Sequence, residues 1–110
     1  MTKIDIFRDK LGNIAKFECS GHSDYAEIGS DIVCASVTSV IYAAMNGIEN
    51  VLGIIFGYEQ SDGYILCVMP EELNEIETKH INILLESMFL FLKELEKQYP
   101  HNVSVSELEV

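Results

Sequence analysis

Two residues in the first third of the chain have side chains suited to nucleophilic chemistry. Cys34 follows Ser30 and Asp31, and either of these is a suitable N-cap for a helix. We therefore expect Cys34 in the first helical turn, where unpaired backbone amides and the helix macrodipole stabilise a thiolate. His22 lies 12 positions earlier, at the start of a polar loop that could return the imidazole to the sulfur as a general base. These are the residue types of a cysteine hydrolase.

Each of these residues also has a purely structural interpretation. A cysteine in an apolar helix could be a small core residue, and a histidine in a polar loop could face solvent. Asp31 could orient the imidazole or only cap the helix. His80 and His101 lie on a long helix and beside Pro100, and we interpret both as ordinary surface histidines. Spacing alone does not decide the matter, because it does not prove that two side chains meet.

The residues around the pair are the candidates for substrate contact. They are Gly21, Ser23, Gly29, Ser30 and Ala35. The small residues of the helix next to Cys34 could admit an extended peptide, or they could let the helix pack closely on a strand. Backbone amides at residues 33–35 are candidates for stabilising the oxyanion of a tetrahedral intermediate.

The other cysteines suggest neither a disulfide framework nor a metal site. The chain has three cysteines and no CxxC pair, which favours free thiols in a reducing compartment. Cys19 and Cys67 fall in predicted strands and are expected to pack as small apolar residues. A zinc site built from His22, Cys34 and Cys67 is an alternative, but the tight local spacing of zinc ligand pairs is missing. We expect no metal or organic cofactor.

Length and composition indicate one acidic globular domain over residues 1–110. Apolar residues make up 48% of the chain, and there is no internal repeat or low-complexity segment. The net charge of −11 disfavours nucleic acid and anionic membranes and would suit a basic partner. The N-terminus has no apolar signal segment, and Asn46, Glu49, Glu86 and Lys93 interrupt the longest apolar stretches. We therefore expect a soluble cytosolic protein.

Hydrophobic periodicity predicts the elements that must position the pair. Side chains alternate with the period of a strand in residues 3–8 and 14–19, on either side of a Gly12-Asn13 turn. Residues 21–31 are predicted to form a loop. A helix then runs to Gly53, a second hairpin turns at Ser61-Asp62-Gly63, and a long helix spans residues 71–99 before a strand at 103–108. The order β-β-α-β-β-α-β predicts an α+β domain with two helices on a mainly antiparallel sheet.

Both helices carry an apolar stripe. The stripe of the first helix is Val33, Val37, Val40, Ile41, Ala44, Ile48, Val51 and Leu52. The stripe of the second is Ile81, Leu84, Leu85, Met88, Leu92, Leu95 and Tyr99. Four further apolar residues of the second helix, Ile83, Phe89, Leu90 and Phe91, fall outside its stripe. One sheet cannot cover both sides, so we expect a second partner surface.

Three segments together resemble a known enzyme family. They are Gly21-His22, then Gly29-Ser30-Asp31-Ile32-Val33-Cys34-Ala35, then Asn46-Gly47-Ile48-Glu49, and they closely resemble the ribosomal-processing cysteine protease family called Prp. The predicted order of elements also matches this family over nearly the whole chain. The family's catalytic histidine and cysteine correspond to His22 and Cys34. Ser23 and Ser36 stand where alanine is often found and Thr38 where serine is common, which leaves fine substrate preference open.

The resemblance implies a specific reaction. Prp enzymes remove a short N-terminal extension from large-subunit ribosomal protein number twenty-seven, cutting after a pair of phenylalanines. This substrate is basic, which is compatible with the charge of −11. The family's members are homodimers, and a second copy would cover the surplus apolar side of the second helix.

Two other classes remain open from the residues alone. A non-catalytic adaptor could bind ribosomal protein or an assembling ribosome through the same groove, and its Cys34→Ser variant would keep full function. A thiol-based redox or acyl-transfer enzyme would react with small thiol reagents but leave peptides uncut.

Overall fold

The computed structural model describes residues 1–21 and 28–110, with the backbone alone for residues 28–31. The elements in chain order are β1 (Thr2–Arg8), β2 (Ile14–Ser20), α1 (Ile28–Asn46), a π-helical turn (Gly47–Val51), β3 (Gly57–Ser61), β4 (Tyr64–Val68), α2 (Glu75–Gln98) and β5 (Val103–Glu109). The predicted order of two hairpins, two helices and a closing strand is confirmed.

The five strands form one sheet in the order β3-β4-β2-β1-β5. The pairs β1–β2, β2–β4 and β3–β4 are antiparallel, whereas β5 pairs with β1 in parallel. The predicted α+β class is confirmed, and the sheet is mixed at this one pair. The parallel pair arises because α2 connects β4 to β5. A helical crossover of this kind returns the chain to the starting end of the sheet, so β5 runs in the same direction as β4 and β1.

Both helices cover the same face of the sheet. Alternate residues of the strands point toward the helices. Ile4, Ile6, Phe17 and Cys67 are among them, and each is 0% exposed. The opposite face carries residues such as Asp5 and Glu18, and the Lys16 ammonium lies 4.1 Å from the centre of the Phe7 ring. The result is a two-layer domain whose core lies between the sheet and the helix pair.

The apolar stripe of α1 is buried as predicted, except at its end. Val33, Val37, Ile41, Ala44 and Ile48 belong to the core. Val51 was predicted to join them and is instead 78% exposed. The cause is the π-helical turn, whose i→i+5 bond from Leu52 N–H to the Gly47 carbonyl, at 2.9 Å, inserts an extra residue and shifts the phase of the stripe. Gly53 follows with a φ of 69°, consistent with the predicted end of the helix.

Helix α2 begins later than the sequence predicted. It starts at Glu75, four residues after Glu71, because Asn74 forms a capping box with Glu77. The Asn74 side chain accepts from the Glu77 N–H at 2.8 Å, and the Glu77 carboxylate accepts from the Asn74 N–H at 3.1 Å. The capping box fixes the helix start through side-chain bonds that an apolar stripe does not reveal.

Three of the four surplus apolar residues of α2 are exposed, and one is not. Ile83, Leu90 and Phe91 are 59%, 67% and 46% exposed. Phe89 is buried within the same chain, with the Arg8 guanidinium 5.0 Å from the centre of its ring. The expected contact was to involve some of these four residues, and Phe89 is not available for it, because it is buried in its own chain with a cation–π contact from β1.

Arg8 joins four parts of the fold. It donates two bonds of 2.8 Å to the Glu86 carboxylate on α2 and one of 2.8 Å to Glu107 on β5. A further bond of 2.8 Å reaches the Gly12 carbonyl in the first hairpin turn. The bidentate bond to Glu86, followed by that to Glu107, raises the pKa of Arg8 above its ordinary value despite an opposing desolvation effect. Arg8 therefore ties β1 to α2, β5 and the turn at one end of the sheet.

One described segment, Ile32–Val51, is long and apolar enough to cross a membrane by length and composition alone. This differs from the expectation that Asn46 and Glu49 interrupt it. The segment contains the buried stripe of α1, and core helices of globular proteins pass the same test, so this is weak evidence for a membrane span.

Gly21 directly follows β2 and has a backbone conformation that other residues rarely adopt. Its φ is +88°, and an added Cβ would lie against the Met1 carbonyl oxygen. Its N–H donates to the Gly63 carbonyl at 3.0 Å, which ties the end of β2 to the β3–β4 turn. Gly12 has a similar φ of +85°, but an added Cβ would have no atom within 4 Å.

We expect Gly21→Ala to destabilise the protein more than Gly12→Ala does. Both changes force a left-handed backbone on alanine, at about 1–2 kcal/mol. Only Gly21→Ala must also displace the Met1 backbone, which should add at least about 1 kcal/mol. Urea unfolding followed by circular dichroism would measure both free energies. Equal losses for the two variants would show that the approach of Met1 does not constrain Gly21.

Candidate active site

Cys34 lines a cavity of about 720 Å³ between α1 and the end of the sheet. Helix α1 contributes Cys34, Val37, Thr38 and Tyr42 to its wall. The sheet contributes Thr2, Cys19 and Gly21, and the β3–β4 hairpin contributes residues 60–65. The Cys34 side chain is half-buried. The sulfur therefore lies beside a space large enough for part of a peptide.

Cys34 lies in the second turn of α1, and the expectation that it lies in the first turn is wrong. The helix begins at Ile28, ahead of the predicted caps Ser30 and Asp31. An α-helix leaves only its first four amides without an intrahelical partner, and residues 33–35 come after these. Their amides are therefore used within the helix and do not form an oxyanion hole. The macrodipole effect also falls off within the first turn, so it contributes less to a thiolate here than predicted.

The other half of the predicted pair lies outside the described residues. His22 and Ser23 belong to the segment that the structure does not describe. Gly29, Ser30 and Asp31 lie in the first turn of α1, where the backbone alone is described. The contact between His22 and Cys34, and the choice of Asp31 as cap or supporting residue, therefore stay predictions.

Of the five predicted substrate contacts, Gly21 and Ala35 have described surroundings. Gly21, which precedes His22 in the sequence, lines the same cavity as Cys34. The Ala35 side chain instead lines a different groove of about 580 Å³, with Ile32, Ser39 and Phe91. One step along a helix turns a side chain by about 100°, which accounts for the separation of Ala35 from Cys34.

Cys19 and Cys67 are buried, as predicted for small apolar residues in strands. Burial raises the pKa of Cys67 to about 12. Burial also raises the pKa of Cys19 to about 11, with a smaller contribution from the charge of nearby Cys34. Both thiols therefore stay protonated at neutral pH. Cys19 nevertheless lines the cavity and lies close to Cys34.

Several cavity residues were not among the predicted substrate contacts. Thr38 and Tyr42 follow Cys34 at intervals of four residues, so the helical period could have identified both. The Tyr42 hydroxyl accepts a hydrogen bond from the Gln60 side chain across the cavity. No local signal predicts Gln60 as a partner, because β3 reaches α1 only through the tertiary fold.

Tyr64 shows how the hairpin wall is held. Its hydroxyl donates to the Glu18 carboxylate at 2.7 Å, which links β4 to β2. This hydrogen bond, followed by desolvation, raises the pKa of Tyr64 to about 12. The residue therefore remains a neutral donor over the physiological range.

The other two histidines lie at the protein surface. His80 and His101 are exposed, in agreement with their interpretation as surface residues. Across residues 1–21 and 28–110, no three His, Cys, Asp or Glu side chains are grouped closely enough to hold a metal ion.

Comparison with known proteins identifies the enzyme class. The family model described as cysteine protease Prp matches residues 1–104. A Bacillus subtilis protein named ribosomal processing cysteine protease Prp is 32% identical over 108 residues, covering 96% of each chain. The crystal structure of an essential ribosomal processing protease Prp from S. aureus, in complex with a substrate peptide, has a TM-score of 0.85 at 22% identity. That comparison covers 97% of this chain and 99% of the other.

A further S. aureus structure of the same protease is in complex with a covalently linked product peptide. It has a TM-score of 0.83 at 24% identity and covers 97% of this chain and 99% of the other. At these identities the two structures support the fold alone. The family assignment rests on the family model and on the Bacillus subtilis relative. With its predicted fold present and Cys34 beside an open cavity, the chain belongs to the cysteine protease Prp family and is a cysteine protease.

Proposed function

We propose that this protease removes the short N-terminal extension of large-subunit ribosomal protein number twenty-seven by cutting after a Phe-Phe pair. The single observation that carries this proposal is the half-buried Cys34 thiol on the wall of an open cavity, in a chain of the Prp family. In this proposal residues 1–110 act as one catalytic domain, with Cys34 as nucleophile and His22 as general base.

The reaction proceeds in two stages. His22 accepts the Cys34 proton, and the sulfur attacks the carbonyl carbon of the scissile bond to form a tetrahedral oxyanion. Collapse of this intermediate breaks the C–N bond, His22 protonates the leaving amine, and a thioester to Cys34 remains. His22 then takes a proton from water, and the resulting attack on the thioester releases the acid and restores the thiol. Asp31 is the candidate for orienting the imidazole.

The choice of substrate rests on the relatives and on charge. The Bacillus subtilis relative is named for ribosomal processing, and the S. aureus enzyme is bound to a substrate peptide in one structure and covalently to a product peptide in another. A ribosomal protein is basic, and this chain carries a net charge of −11, so their encounter is electrostatically favoured. The same charge argues against direct binding to nucleic acid. Val37 and Ile65 on the cavity wall suit the apolar side chains of a phenylalanine pair.

The proposed setting follows from the substrate. The named relatives come from bacteria, and a new ribosomal protein is available in the bacterial cytoplasm. The chemistry above is carried by a thiol and an imidazole, so the mechanism includes neither a metal nor an organic cofactor.

We also propose that two copies associate through the outer face of the helix pair. Ile83, Leu90 and Phe91 leave exposed apolar area on α2. Phe91 also lines the groove of about 580 Å³, and Ile32 of α1 lines the same groove, so the apolar surface extends from α2 to α1. Apolar area of this kind is typical of a contact surface.

The Cys34→Ala variant should lose peptide cleavage by more than about a thousandfold, because Cys19, the other thiol among the described residues of the cavity wall, is buried and stays protonated at neutral pH. His22→Ala should lose about a hundredfold to ten-thousandfold and still bind the peptide. The substrate is the N-terminal peptide of the ribosomal protein from the same organism, and mass spectrometry locates the cut. Ser39→Ala is the matched control, since Ser39 lies on α1 but lines the other groove. Cys34→Ala activity within about tenfold of wild type would exclude Cys34 as nucleophile.

Alkylation should separate the three thiols. In the folded protein we expect iodoacetamide to modify Cys34 well before Cys19 and Cys67 at every pH from about 6 to 9. The reason is that burial holds the pKa of Cys19 at about 11 and that of Cys67 at about 12, so few thiolates form there. Peptide mapping by mass spectrometry measures each site, and unfolding in guanidinium should equalise the three rates. His22→Ala should slow the labelling of Cys34 alone. Equal labelling of the three thiols in the folded protein would contradict the proposed activation.

A charged substitution on the outer face of α2 should dissociate the proposed dimer into monomers. We expect Leu90→Asp to shift the sedimentation coefficient of the protein from that of a dimer to that of a monomer, because an aspartate would be buried without a partner. Ile76→Asp is the control, since Ile76 is 67% exposed near the start of the same helix and outside the proposed contact. A wild-type protein that sediments as a monomer at micromolar concentration would exclude the dimer.

A further inference from the structure

We propose that Tyr42, held by Gln60, forms a distal subsite for an apolar side chain of the substrate, three or four residues from the scissile bond. This inference rests on the proposed function, because it takes Cys34 as the position of the cut.

Helix geometry fixes the distance from Cys34. Cys34, Thr38 and Tyr42 recur every four residues of α1 and all line the same cavity. A rise of about 1.5 Å per residue places Tyr42 about 12 Å along the helix from Cys34. An extended peptide advances about 3.3 Å per residue, so this distance corresponds to between three and four peptide residues.

Gln60 contacts Tyr42 from the opposite wall of the cavity. Gln60 lies on β3, and its side-chain amide donates to the Tyr42 hydroxyl, so the two residues bridge α1 and the hairpin. The two residues also line the cavity together. A peptide that runs along α1 from Cys34 therefore reaches the Tyr42–Gln60 pair. The peptide side chain that lies there has Tyr42 as a neighbour.

The chemistry of the wall favours an apolar side chain. Tyr42 is 37% exposed, so part of its ring is available for contact. Val37 and Ile65 line the same cavity. Aromatic rings bind apolar and aromatic side chains with large contact area, and the hydrogen bond from Gln60 fixes the ring on the hairpin side. Tyr42 is therefore the contact residue, and Gln60 is a positioning residue.

A coupling experiment between enzyme and peptide tests this subsite. Each residue within four positions of the cut, on either side, is replaced by alanine in turn, and the peptides are compared with wild type and Tyr42→Ala. We expect one alanine peptide, changed at the third or fourth position, to lose about five- to twentyfold in kcat/KM with wild type, mainly through KM. The same peptide should lose less than about twofold with Tyr42→Ala, because its partner is already missing.

Further variants distinguish contact from positioning. Tyr42→Phe keeps the ring but removes the hydroxyl, and Gln60→Ala removes the donor. We expect each to raise KM for the unmodified peptide by about two- to fivefold, with kcat unchanged and the coupling to the same peptide residue retained in part. Tyr58→Ala is the matched control, because Tyr58 lies on β3 and is exposed but does not line the cavity. Unfolding curves of the variants verify that each is folded.

The outcomes separate this subsite from the proposed function. If wild type cuts none of the peptides, the proposed function fails and the subsite fails with it. If wild type cuts the unmodified peptide but Tyr42→Ala shows no coupling, or couples most strongly to a residue next to the cut, only the subsite is excluded. Equal effects of Tyr58→Ala and Gln60→Ala on KM would also exclude the positioning role of Gln60.

Discussion

The burial of one stripe of α1 is the constraint on which the site depends. Val33, Val37 and Ile41 are almost completely buried against the sheet. Cys34, Thr38 and Tyr42 each follow one of these residues, and one residue turns an α-helix by about 100°. Once the first stripe is buried, the second must lie on the cavity side of α1, where Val37 also reaches the cavity wall. Rotating Cys34 away would expose the core residues, at about 1.5–3 kcal/mol for each side chain.

The two ends of the sheet have different roles. At the end of β1 the guanidinium of Arg8 bonds to Glu86 and Glu107 and covers Phe89, so β1, α2 and β5 are held together there. The cavity lies at the opposite end, where β1 begins at Thr2 and β2 ends before Gly21. Charge-assisted bonds thus stabilise the part of the sheet far from the cavity. The wall near Cys34 relies on the ladder between β2 and β4 and on the Tyr64–Glu18 bond.

The start of α1 at Ile28 changes how the thiol of Cys34 would be activated. A cysteine in the first turn would gain directly from unpaired amides, whereas one in the second turn gains less. In the proposed mechanism the imidazole of His22 therefore carries more of the activation than the helix does. The amides of residues 33–35 are used by the helix, so the oxyanion needs donors from another part of the site. The fold places Cys34 on the cavity wall, and in the proposed mechanism His22, the residue after Gly21, completes the catalytic pair.

Local patterns in the sequence determined the strands, the helices and the buried cysteines, because alternation and helical period depend on residues close together in the chain. A short motif likewise singled out Cys34 and His22, whose pairing stays a prediction. The same local reasoning placed the start of α1 too late, because the cap residues Ser30 and Asp31 also fit inside a helix, and it missed the phase shift that exposes Val51. Only the tertiary structure decided the parallel pairing of β5 with β1 and the burial of Phe89 beneath Arg8. It also decided that Gln60 faces Tyr42. These contacts join residues between about 18 and 100 positions apart, and they form only after the core has fixed how the sheet and the helices pack.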